Sequence, residues 1–174
     1  MDILYTVEEK YLQALEELNF GELPKALHIL NEIITTEPDY ARAYYQLGSL
    51  YHYQFKDFQT AGYYYKKCIE LDAKFPDVYE HYLKLLVTLK MNKLISVIAE
   101  QALVIPGVYK ALIYESLGIY AEEQLDFAAA KEQYRLAGLN ASSPMEQTMI
   151  EGHLTRIDGK QNAKRQMIYT FQSE

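Results

Sequence analysis

The run Ala43-Tyr44-Tyr45-Gln46-Leu47-Gly48-Ser49-Leu50-Tyr51 places an aromatic, a Leu-Gly pair and a second aromatic at helical spacing. Its core, Tyr44-x-x-Leu47-Gly48-x-x-Tyr51, returns as Tyr114-x-x-Leu117-Gly118-x-x-Ala121. Each copy is followed by a small residue, an aromatic and another small residue: Ala61, Tyr65 and Cys68 after the first, Ala130, Tyr134 and Ala137 after the second. Two fainter copies align with these, and the first of the small residues then falls at Ala26, Ala61, Ile95 and Ala130, at intervals of 35, 34 and 35 residues. A near-constant period of this size marks an array of supersecondary units. Helical spacing runs through nearly the whole chain, and no stretch alternates apolar and polar residues as a half-buried strand does. The expected class is all-α.

These residues resemble the tetratricopeptide repeat, a helix–turn–helix unit of about 34 residues. The resemblance implies a right-handed α-solenoid of helical hairpins forming a single domain over residues 1–174. Its units are expected at about 7–40, 41–75, 76–109 and 111–143, with a degenerate fifth at 144–174. Small residues let the two helices of a hairpin approach, so Gly118 and Ala130 are expected to face each other, while large aromatics fill between hairpins. Unit one keeps Ala14, Gly21, Ala26, Leu30 and Pro38 but carries Lys10, Gln13 and Glu17 where the family prefers apolar residues, as a terminal unit can. Unit three trades large for small, with Leu83 and Ile95 at the small positions and Ala99 at a large one. The fifth unit is expected to turn at Asp158-Gly159-Lys160 and to place Ala163, Met167 and Thr170 on a tenth helix.

Local signals mark the same boundaries. Thr6-x-x-Glu9 and Ser143-Pro144-Met145-Glu146 read as capping boxes. Asp57, Asn92 and Asp126 stand ahead of second helices as N-cap candidates, Gly21 ends the first helix of unit one, and Pro38, Pro76 and Pro106 separate units.

The 174 residues are 49% hydrophobic and 24% charged, which suits a folded chain rather than a disordered one. One cysteine makes no internal disulfide, no apolar run is long enough to span a bilayer, and Met1 to Tyr5 lacks the basic region of a secretory signal. A cytoplasmic protein is expected. Residues 1–39 hold nine acids and two bases, so the net charge of −7 is concentrated there. Such a surface repels phosphate backbones, and the short basic cluster of Lys160, Lys164 and Arg165 does not offset it, so neither nucleic acid nor membrane is expected as a partner.

Catalytic apparatus is not visible either. No two of His28, His52, His81 and His153 are spaced i, i+4, and neither a His-Glu-x-x-His nor a Cys-x-x-Cys motif occurs, so no metal and no cofactor is expected. Cys68 sits at a buried small position and reads as a small hydrophobe. Glu16-Glu17 and Glu122-Glu123 are helical neighbours pointing about 100° apart, which reads as solvated surface.

In the family that the pattern resembles, first helices line a concave groove. The resemblance places Tyr11, Leu15, Arg42, Tyr45, Gln46, Ser49, His52, Tyr53, His81 and Lys84 there, and implies a non-enzymatic adaptor or scaffold binding a peptide or helix of another protein. Exposed tyrosine combines a large contact area with few rotors, which singles out Tyr45 and Tyr53. Further along, Glu80, Glu115, Glu122 and Glu123 are expected to repel an acidic partner. Relatives that clamp a chaperone's terminal carboxylate use Lys, Asn and Arg where this chain has Tyr11, Leu15, Gln46, Asp77 and His81, a departure that argues against that ligand. The alternative is a self-assembling repeat protein that forms homo-oligomers through its end helices, the expected state being a monomer or a weak homodimer.

Overall fold

In the computed structural model, backbone is described for residues 6–172 and side chains for residues 6–164. Among the described residues there are nine helices and no strand: α1 (Val7–Phe20), α2 (Leu23–Thr36), α3 (Ala41–Tyr53), α4 (Phe58–Leu71), α5 (Asp77–Thr88), α6 (Asn92–Val104), α7 (Lys110–Glu123), α8 (Phe127–Asn140) and α9 (Pro144–Gln172). None is long and apolar enough to cross a membrane. The chain divides into two compact units, one ending at Leu85 and the other beginning at Leu86.

In the first unit α1 packs on α2, α2 on α3 and α3 on α4. Tyr11, Ala14, Ile29, Leu30, Ile33, Ala43, Leu47 and Leu50 form a buried cluster, with Leu15, Leu18, Leu23, Tyr51 and Tyr64 against it. The residues at the small repeat positions, Ala14, Ala26, Ala61 and Cys68, have no exposed surface. Burial pushes the Cys68 thiol up to about 12, so it stays protonated and inert.

In the second unit α6 packs on α7, α7 on α8 and α8 on α9. Ala121, Ala130, Tyr134, Ala137, Ile150 and Ile157 make its core. The glycines of the repeat are explained by a ring in each unit. A Cβ at Gly48 would lie 2.5 Å from Tyr65, and one at Gly118 would lie 2.5 Å from Tyr134. Gly118 therefore makes room for the aromatic of the second helix, and its nearest neighbour is Tyr134 rather than the expected Ala130. The exchanged residues of unit three, Leu83, Ile95 and Ala99, are all buried.

Both capping boxes form. Thr6 Oγ1 accepts from the Glu9 amide at 3.3 Å, and the Glu9 carboxylate accepts from the Thr6 amide at 2.8 Å. Ser143 and Glu146 exchange the same pair of bonds at 3.2 and 3.0 Å, with the Tyr109 hydroxyl donating to Glu146 at 2.6 Å. Asp57 and Asp126 cap α4 and α8 by accepting from Thr60 and Ala129. Asn92 does not cap α6; it is that helix's first residue, and Met91 precedes it without a side-chain hydrogen bond.

The expected turn at Asp158-Gly159-Lys160 does not form. α9 runs unbroken through it, because a lone glycine costs a helix interior only about 1 kcal/mol, and the flanking Asp158 and Lys160 are tied to Lys131 and Glu122 in helical register. The expected tenth helix is thus absent among the described residues. Ala163 belongs to α9, whereas the side chains of Met167, Thr170 and Arg165, like residues 1–5, lie outside the described set.

Among the described residues, Lys56, Lys90 and Leu125 are the non-glycine residues with positive φ, at 55, 55 and 60°. Each stands five residues ahead of Ala61, Ile95 or Ala130, so the same left-handed corner closes three successive hairpins.

Candidate functional site

The first helices α1 and α3 lie side by side in the first unit, and their sequence decides what lies between them. At the start of the helices Arg42 faces Glu8 across 3.6 Å, and the Tyr40 hydroxyl donates to Glu8 at 2.9 Å. One turn on, the Gln46 amide donates to the Tyr11 hydroxyl at 3.3 Å, and Tyr11 packs edge-on to Tyr40. Beyond that bridge the helices enclose a cleft of about 290 Å³ lined by Leu15, Leu18, Asn19, Leu23, Gln46, Ser49, Leu50, Tyr53 and Gln54. Four leucines supply the apolar part. Asn19, Gln46, Ser49, Tyr53 and Gln54 supply uncharged hydrogen-bonding groups that both donate and accept. No lining residue carries a charge at neutral pH.

Of the ten groove residues expected from the sequence, Leu15, Gln46, Ser49 and Tyr53 meet in this cleft. Arg42 is exposed at the closed end of the groove. Tyr11 is only 7% exposed and belongs to the core, because its ring fills the space beside Ala14 and Leu47; burial raises its hydroxyl pKa. His52 is likewise buried: its Nδ1 lies 3.3 Å from the Tyr65 hydroxyl, and burial drives its pKa down to about 4, so the ring is neutral at pH 7. Neither can line an open groove.

Tyr45 and His81 form a second, packed group. Tyr45 is half-buried, its ring 5.2 Å from Phe75 and 5.6 Å from His81. His81 Nδ1 lies 2.8 Å from the Tyr53 hydroxyl, and burial lowers its pKa. Tyr53 is thereby held from two sides, since His52 stacks on its ring at 4.1 Å; burial pushes its hydroxyl up to about 12. Lys84 bonds Glu80 at 2.6 Å. This aromatic and imidazole group braces the wall of the cleft instead of extending it.

One member of the acidic stretch expected in the later part of the chain, Glu122, is neutralised from within. Glu122 is buried and accepts from Arg156 at 2.6 and 2.9 Å, from Lys160 at 2.7 Å and from Tyr134 at 2.8 Å. Its carboxyl is held at about 2, chiefly by Arg156. The expectation that Glu122 is solvated surface is corrected accordingly; Glu123 is exposed. Glu115 lies 2.9 Å from His153, which stacks on Tyr134 at 4.6 Å. Arg156 and Lys160, the cations on Glu122, and His153 beside Glu115 all reside on α9, too far away in sequence for spacing to reveal them.

Leu23, Leu50 and Gln54 were not legible as cleft residues. Leu23 opens a second helix and Leu50 occupies a core position, so repeat position assigned them elsewhere. Gln54 follows the last residue of α3, where helical periodicity no longer predicts direction. Among the described residues no three His, Cys, Asp or Glu side chains gather as metal ligands.

Paired helices with small residues at the crossing, ring-filled glycine notches and a repeated left-handed corner define a tetratricopeptide-repeat fold, a helical solenoid class. Solved structures bear this out. The chain is similar to MamA residues 41 to the end from Desulfovibrio magneticus RS-1, at 18% identity, with 96% of this chain and 92% of that one covered and a TM-score of 0.75. It is also similar to PilW, described as a widely conserved type IV pilus biogenesis factor, at 14% identity, 92% and 78% coverage and a TM-score of 0.70. No protein-family model and no curated protein matches the sequence.

Proposed function

We propose that the chain is a non-enzymatic protein–protein interaction module, an adaptor or scaffold, that binds a segment of another protein in the cleft between α1 and α3. The carrying observation is the chemistry of that cleft: Leu15, Leu18, Leu23 and Leu50 line it together with the neutral amides and hydroxyls of Asn19, Gln46, Ser49, Tyr53 and Gln54. A partner's side chain can pack on the leucines while the amides and hydroxyls satisfy the hydrogen bonds of the backbone that carries it. Stacked helical repeats present such surfaces without any reactive group.

The test is capture by the immobilised chain, compared between wild type and Ser49→Arg, which fills the cleft from a half-buried position on α3. Proteins held by wild type and lost from a folded Ser49→Arg variant support the reading. An unchanged set of captured proteins refutes the cleft as the binding surface.

A second reading, homo-oligomerisation through the end helices, is favoured by the apolar side chains around the α8–α9 junction, where Leu139, Met145 and Met149 are 82, 79 and 48% exposed. Sedimentation of the chain at increasing concentration separates the two: a monomer throughout removes the second reading.

A further inference from the structure

The cleft itself is uncharged, but its surroundings are electrically one-sided. α1 ends at Phe20 and α3 at Tyr53, and the residues at these two ends, Asn19, Tyr53 and Gln54, line the cleft. Each helix therefore presents the negative end of its dipole there, with the Glu17, Leu50 and Tyr51 carbonyls already accepting from the Gly21, Gln54, Phe55 and Asp57 amides. Basic side chains in the last turn commonly offset this charge. α1 has none there, and α3 has only His52, which is buried and neutral at pH 7.

Side-chain charges add to the same sign. Glu16 stands three residues before Asn19 on α1, a spacing that puts the two on one face. Glu22 adjoins Leu23 of the cleft. Both are exposed, and neither has an ion-pair partner among the described residues. The neighbouring Glu17 is paired with Lys25. Lys25 also lies in the field of Glu16 and Glu22, so one base is shared among three acids at this end of α1.

We propose that the cleft selects a cationic-apolar segment of a partner protein, in which an aliphatic side chain packs on the cleft leucines and an adjacent arginine or lysine is held by the α1 and α3 C-termini with Glu16 and Glu22. The proposal rests on the cleft being the binding surface and adds the sign of the charge it prefers. Apolar contact supplies affinity that salt does not screen, whereas the flanking charges supply discrimination that salt does screen. An acidic segment is rejected by the same groups that hold a basic one.

The experiment uses three blocked pentapeptides of sequence GLRLG, GLQLG and GLELG, titrated into the full chain. The reporters are the side-chain amide resonances of Asn19, Gln46 and Gln54 in ¹⁵N-labelled protein. The arginine peptide is expected to bind at least about fivefold more tightly than the glutamine peptide, equivalent to about 1 kcal/mol, with the glutamate peptide weakest. Raising salt from about 50 to 500 mM should erase most of that preference. The double variant Glu16→Gln, Glu22→Gln, both at exposed positions, should lower the preference for the arginine peptide over the glutamine peptide; an undiminished preference overturns the role of the two carboxylates.

Equal affinity for the arginine and glutamine peptides overturns the charge preference but leaves the cleft as the binding surface. A set of cleft amides that none of the three peptides shifts at about 1 mM, the weak end of specific recognition, overturns both.

Discussion

Replacing Gly118 with alanine should destabilise the second unit, although alanine is the better helix former. In a helix interior the exchange ordinarily gains about 1 kcal/mol. Here the added methyl would stand 2.5 Å from Cε1 and 2.6 Å from Cδ1 of Tyr134, about 1 Å inside normal carbon contact. The ring cannot retreat cheaply. The ring is stacked on His153 at 4.6 Å and 10°, and its hydroxyl is bonded to Glu122, which two cations also grip. Overpacking of a fixed site costs up to about 3 kcal/mol, which leaves a net loss of about 2 kcal/mol and a Tm lower by about 4–8 °C at this chain length. Gly152→Ala is the matched control. A Cβ there meets nothing within 4 Å, so that variant should gain the full propensity term of about 1 kcal/mol. Urea denaturation followed by circular dichroism measures both, and the ring-current-shifted His153 resonances report whether the Tyr134 ring has moved. A Gly118→Ala protein as stable as wild type would refute the argument that the glycine exists to admit the ring.

Two further outcomes are expected. Glu122, held near 2 in the folded state against about 4.5 when unfolded, contributes stability that is complete above pH 4.5 and is lost as pH falls towards 2; Glu122→Gln should lower stability at pH 7 by about 1–3 kcal/mol and flatten that acid limb, and an unchanged slope in pH-dependent urea melts would refute the assignment. Leu125→Gly should stabilise by about 0.5–1 kcal/mol, since a left-handed leucine costs about 1–2 kcal/mol and the side chain, 64% exposed, has little burial to lose; a lower Tm would show that the corner is not strained.

The sequence carried information wherever a local rule decides the structure. Ala26 and Ala61 lie one period of 35 residues apart and Ala130 two periods further on, because a close helix crossing favours small residues, and Thr6 with Glu9 declares a helix start because both partners lie within one turn. Prediction failed wherever a distant residue supplies the deciding contact. Glu122 reads as surface from its own helix, yet Arg156 and Lys160 make it a buried anchor from more than thirty residues away. The same bonds explain why α9 passes straight through Gly159: residues on both sides of the expected turn are held by α7 and α8 in a continuous helical register, and the glycine's preference is too small to break it. Groove residues divide along the same line. Leu15, Gln46 and Ser49 occupy positions whose direction helical phase alone fixes. Tyr11 and His52 are drawn into the core because aromatic and imidazole rings find partners in Tyr40, just ahead of α3, and in Tyr65 of α4, a choice that depends on neighbours outside their own helices. Repeat position thus tells which side of a helix a residue starts from, and side-chain size together with the available partner decides whether it stays there.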